Sequence, residues 1–130
     1  MVIDTSAIIA IMFNETTAPR LVAAIEQSPV RMISAGTVIE TALVLLGRYG
    51  PEGEVHLDTF LRGINADIVP CDADQVTVAR DAARAYGRGR HRAALNFGDC
   101  FSYALAVARD QALLFVGEDF AQTDVSVAPW

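Results

Sequence analysis

Short apolar runs alternate with helix-forming segments along almost the whole chain, and this alternation limits the folds open to it. "MVID" at residues 1–4 is a β-branched run ending in an acid. "TSAIIAIMF" then opens with capping residues and continues with helix-compatible apolar ones. "APRLVAAIEQS" places Leu21, Val22 and Ile25 on one helical face and ends before Pro29, and "RMISAG" is the next apolar run. "TVIETALVLLGRY" predicts a helix over 37–49, stopped by Gly50 and Pro51. A helix through "EVHLDTFLRGI" leads to a strand "DIVPC", and a helix capped by Asp72 runs on to Gly87 and Gly89. "LNFGDCFSYALAVARD" at 95–110 predicts another helix, followed by the strand "ALLFVG" and a short terminal strand "VSVAP". The runs are apolar on both faces instead of alternating in polarity, as strands covered on both sides are. The expected class is therefore α/β: a three-layer α/β/α domain around a central, mostly parallel sheet, with residues 1–130 as one domain.

Composition removes several functions. All ten basic residues are arginines, so lysine-dependent chemistry such as a Walker phosphate loop or a Schiff base is excluded. Cys71 and Cys100 form no C-x-x-C pair and predict neither a disulfide framework nor a zinc site, which fits a reducing cytoplasm. The longest apolar run, "AIIAIMF", is too short to cross a bilayer, so no membrane association is expected. A net charge of −6 opposes general adhesion to nucleic acid but leaves room for a local basic patch.

In an open parallel sheet, ligands bind beyond the carboxyl ends of the strands. Four acids fall at such places. Asp4 ends the first strand, Glu40 lies in the first turn of the helix after the second, Asp99 begins its helix, and Asp119 follows "ALLFVG". Thr37 with Glu40 also matches a capping box, and Asn96 with Asp99 resembles one, so either acid alone reads more readily as a cap than as a catalyst. Four carboxylates converging on one edge repel one another and raise their own pKa values unless a cation offsets the charge. Oxygen-only ligands suit Mg²⁺ or Mn²⁺ over zinc. Two such ions about 3.5–4 Å apart can clamp a phosphodiester.

"MVIDTSAIIAI", "ISAGTVIETALVL", "LNFGDCFSYALA" and "LLFVGEDFAQTDV" carry these acids in an order, spacing and setting that resemble the PIN-domain family, specifically its VapC-type ribonuclease toxins. The likeness spans the full chain. It implies an endoribonuclease dependent on Mg²⁺ or Mn²⁺, acting as the toxin of a type II toxin-antitoxin system. It implies Asp4 and Asp99 as direct metal ligands, Glu40 and Asp119 completing the catalytic pocket or acting through water, and Ser6, Asn96 and Asp124 as supporting groups. It further implies an RNA substrate, a cognate antitoxin with a basic segment that enters the pocket, and a homodimer.

Half of the arginines lie within "RDAARAYGRGRHR" at 80–92. Arg88, Arg90 and Arg92 sit in a glycine-rich loop just before the Asp99 helix and are expected to contact phosphate, whereas Arg80 and Arg84 read equally as a solvated helix face. His91 reads as incidental. "CDADQVT" resembles the D-x-D motif of haloacid-dehalogenase-like phosphatases, but those enzymes need a lysine, and Asp72 and Asp74 read better as helix-start residues. The other alternative is a non-catalytic PIN-fold module that binds RNA or a partner. Loss of one of the four acids would mark it, and none is lost. In the stripe Ala42, Leu43, Leu45 and Leu46, each residue is expected to be core before it is interface.

Overall fold

The computed structural model describes residues 1–130. Its elements are β1 (Val2–Ile3), α1 (Thr5–Met12), α2 (Ala18–Gln27), β2 (Met32–Ser34), α3 (Ala35–Tyr49), α4 (Glu52–Gly63), β3 (Asp67–Val69), α5 (Ala73–Tyr86), α6 (Phe97–Ala108) and β4 (Leu113–Leu114), with a 3-10 turn at Phe120–Gln122. The strands form one sheet in the order β3-β2-β1-β4, with every neighbouring pair parallel. The chain builds outward from β1 through β2 to β3, then crosses back to place β4 on the other side of β1. This reversal leaves a crevice beyond the carboxyl ends of β1 and β4, where open α/β sheets bind their ligands.

The strands are apolar on both faces because each face carries its own core. Val2 and Leu113 point into one cluster with Leu95, Tyr103, Leu105, Phe115 and Phe120, covered by α5 and α6. Ile3, Ile33 and Leu114 point into a second cluster with Ile8, Leu21, Ile25, Leu45, Leu57 and Leu61, from α1 to α4. The three-layer α/β/α expectation holds, and the sheet is wholly parallel. β3 departs from it, since Asp67 and Ile68 are exposed at the sheet edge and only Val69 is buried.

Two boundaries differ from the sequence expectation. α3 begins at Ala35, two residues before Thr37, because Ser34 both ends β2 and caps α3, its hydroxyl accepting from Gly36 N–H. Thr37 and Glu40 therefore form no capping box, and Glu40 lies in the second turn. "VSVAP" makes no strand: Val127 forms a single bridge to Leu113, held by Leu113 N–H to Ser126 O and Ala128 N–H to Leu113 O. No helix is long and apolar enough to cross a membrane.

Candidate active site

Asp4 is the N-cap of α1, where β1 ends. Its Oδ2 accepts Ser6 N–H at 2.9 Å and Ser6 Oγ–H at 2.7 Å. Ser6 Oγ in turn accepts Val116 N–H at 3.0 Å, just beyond β4, so this serine ties the ends of β1 and β4 together. Asp4 is only 3% exposed, and its Oδ1 is buried with no hydrogen-bond partner. A buried carboxylate oxygen without a donor is costly unless a cation faces it.

Asp99 enters from α6. Asn96 caps that helix, with its Oδ1 accepting Asp99 N–H at 3.1 Å and Asp99 Oδ2 accepting Asn96 N–H at 2.7 Å, a complete capping box. The cap and the site are one arrangement, since the box that fixes the helix start also fixes the Asp99 rotamer. Burial pushes the Asp99 carboxyl up to about 6. The Asn96 N–H pulls the other way, and the charges of Asp4, Asp119 and Glu40 add to the rise. That all three acids act on Asp99 places the four carboxylates in one electrostatic unit.

Glu40 reaches the site across α3. Its Oε2 accepts Thr5 Oγ1–H at 2.5 Å, and its carboxylate lies against Gly98, where a Cβ would fall 1.9 Å from Oε1. Close approach explains a glycine in the first turn of α6, at a position where alanine would favour the helix. Asp119 is exposed before the 3-10 turn, after Gly117 (φ 114°) has turned the chain away from β4. No three His, Cys, Asp or Glu side chains stand together as a ready cage. Sparse direct ligation is what Mg²⁺ needs, because water and phosphate complete its octahedron. The orphaned Asp4 Oδ1, the raised Asp99 and the all-oxygen donor set fit such an ion.

Asp124 lies outside this unit: its Oδ1 accepts Tyr103 O–H at 2.6 Å, one turn beyond Asp99 along α6. Arg88, Arg90 and Arg92 are exposed on a turn closed by Arg88 N–H to Leu95 O and Leu95 N–H to Tyr86 O, and their side chains make no ion pair or hydrogen bond. Arg84 is paired with Asp81, the solvated-face role. His91 is structural, its Nδ1 accepting Ala93 N–H at 3.1 Å and its ring packing against Tyr86. Asp72 caps α5 through Gln75 N–H after the edge strand, away from the crevice, which removes the phosphatase-like alternative. Sequence reasoning passed over Thr5 and Gly98. A glycine in the first turn of a helix was the one available signal for the latter.

Fold and site together describe a parallel α/β protein with an acidic centre at the sheet's switch point. The PIN domain family matches residues 1–126. Ribonuclease VapC30 of Mycobacterium tuberculosis is 50% identical over 126 residues, covering 97% of this chain and 96% of that one. Among solved structures, M. tuberculosis VapC20, described as a sarcin-ricin loop cleaving toxin, superposes with a TM-score of 0.78 at 22% identity, covering 98% of each chain. A toxin-antitoxin complex from Klebsiella pneumoniae superposes at 0.75 with 21% identity, covering 99% of this chain and 97% of that one. These two likenesses concern the fold alone. The chain belongs to the PIN-domain family and, within it, to the VapC ribonucleases.

Proposed function

We propose that residues 1–130 act as one PIN domain that hydrolyses RNA phosphodiester bonds with Mg²⁺ or Mn²⁺, and that a cognate antitoxin restrains it. The observation that carries this reading is Asp4, buried with a donor-free Oδ1, together with an Asp99 whose charged form is disfavoured first by burial and then by the charges of Asp4, Asp119 and Glu40. Asp4 and Asp99 would hold the ion, with Glu40 and Asp119 completing the set directly or through water. When bound, such an ion activates a water for in-line attack and stabilises the leaving oxygen.

The protein's own groups do the positioning. Ser6 fixes the Asp4 rotamer, Thr5 orients Glu40, and Asn96 holds Asp99. Arg88, Arg90 and Arg92 carry unpaired guanidinium groups beside the start of α6, suited to gripping substrate phosphates. Asp124 keeps a supporting role only through Tyr103, bracing α6 from behind. An acidic pocket also suits a basic antitoxin segment, and the Klebsiella relative is a toxin-antitoxin complex. A homodimer is supported by the exposed apolar face of α3, where Leu43 is 63% exposed and Ile39 and Leu46 lie beside it.

The test is cleavage of total cellular RNA by purified, antitoxin-free protein, with Mg²⁺ or Mn²⁺ against chelator, reading new ends by sequencing. Discrete metal-dependent cuts, absent with Asp4→Asn and Asp99→Asn while circular dichroism stays native, are expected. Identical profiles from wild type and Asp4→Asn would leave the non-catalytic binding module as the reading.

A further inference from the structure

We propose that Phe97 is a stacking platform at the start of α6 that holds an unpaired base of the RNA substrate. This rests on the ribonuclease reading above and adds a substrate-positioning residue to it. Phe97 is the first residue of α6, directly after the Asn96 cap and two residues before Asp99. Its side chain is 82% exposed, the most exposed large apolar side chain in the protein. Neither helix nor core requires a phenylalanine there, since the Asn96–Asp99 box already caps α6.

The ring is nonetheless braced. It meets Phe101 edge to face, with centroids 5.0 Å apart and planes at 89°. Phe101 is in turn seated on Gly36 in the first turn of α3, where a Cβ would fall 2.5 Å from the ring. Phe97 is therefore held in place yet open to solvent, as a stacking surface must be.

Its surroundings select the occupant. Phe97 lines two adjoining grooves, an apolar one of about 240 Å³ that Arg80 borders and one of about 480 Å³ that Arg88 and Asn96 border. Both arginines are exposed and have no carboxylate partner. An aromatic face flanked by free guanidinium groups matches a nucleotide, whose base is apolar on its faces and whose phosphates are anionic. A basic protein segment would be repelled by Arg80 and Arg88, and an apolar helix would leave them unpaired. Only an unpaired base offers its face, so the contact at Phe97 is with an unstacked nucleotide of the substrate.

The experiment uses a short single-stranded RNA containing a mapped cut site, and the same strand with an abasic residue placed at each position in turn. Phe97→Ala, Phe97→Leu and Phe97→Tyr are compared for kcat and KM, and for affinity in the Asp4→Asn background, where nothing is cleaved. Phe97→Ala and Phe97→Leu are expected to raise KM and weaken binding by about tenfold with kcat little changed, and Phe97→Tyr to behave as wild type. One abasic position near the cut should cost the wild type about as much and cost Phe97→Ala nothing further, because the lost ring and the lost base remove one and the same contact. Wild-type KM in Phe97→Ala, or equal abasic penalties with and without the ring, would overturn the proposal while the metal-dependent cuts stand. Loss of antitoxin binding in Phe97→Ala with RNA affinity unchanged would overturn it in favour of a protein partner. Absence of cuts by the wild type would remove the ribonuclease reading and this proposal with it.

Discussion

Gly98 shows how closely one residue can tie the cap of a helix to the chemistry beside it. A methyl group there would meet the Glu40 carboxylate, the end of a flexible side chain that can swing aside at little cost in stability. Gly98→Ala is therefore expected to leave the melting temperature unchanged or slightly raised, since alanine favours the helix. Displacing Glu40 from Thr5 should lower cleavage by about tenfold to a hundredfold, checked by kcat and calorimetry on the same preparation. Asp99 sets the pH response of the metal-free protein. Its carboxyl lies at about 6 in the folded chain against an ordinary 3.8, so the fold favours the protonated form. This contribution is full at low pH and is lost as pH rises through about 6. With allowance for partial solvent screening, it is worth of order 1–2 kcal/mol. Calorimetry in chelator should show wild type losing stability relative to Asp99→Asn between about pH 4 and 6, and added Mg²⁺ should restore it. An unchanged difference across that range would contradict the site's electrostatics.

Between elements, the contact that sets Glu40 against Gly98 is the junction of α3 with α6. Thr37 Oγ1 and Ser102 Oγ are fully buried and 3.0 Å apart, the one side-chain hydrogen bond joining these helices. Thr37→Val strands the Ser102 hydroxyl without a partner and should cost about 1–3 kcal/mol in urea unfolding, while the double variant Thr37→Val/Ser102→Ala should recover most of it. The helices themselves were legible from spacing and caps: Asp72 and Asn96 cap where their residue types say they should. The start of α3 was not, because Ser34 is both the last residue of a strand and a cap, and a run of residues does not reveal which of two capable hydroxyls has free N–H groups ahead of it. The terminal "VSVAP" failed as a strand because it meets the free edge of β4 at one residue only, Val127, too short a pairing to form a ladder.

At the scale of the molecule, the exposed face of α3 bears on assembly. Leu45 is buried in the core, whereas Leu43 and Leu46 of the same stripe are on the surface, where an apolar patch invites a second copy. Leu43→Glu is expected to keep native circular dichroism and to shift a dimer to monomer in sedimentation velocity. Sedimentation identical to wild type would separate this face from self-association.

The alternation of apolar runs with helices determined the layered parallel sheet, and Asp4 at the end of β1 marked the acidic edge. Both are local facts: a strand covered on two sides must be apolar on both, and a carboxylate ending it must meet water, a donor or a cation. Only the tertiary structure decided the rest. It placed Asp124 under Tyr103 instead of beside Asp99, brought Glu40 onto Gly98 from a helix 58 residues earlier in number, and left Phe97 bare beside two free arginines. Those outcomes depend on how α3, α5 and α6 meet over the sheet edge, a matter of long-range packing that no spacing along the chain records.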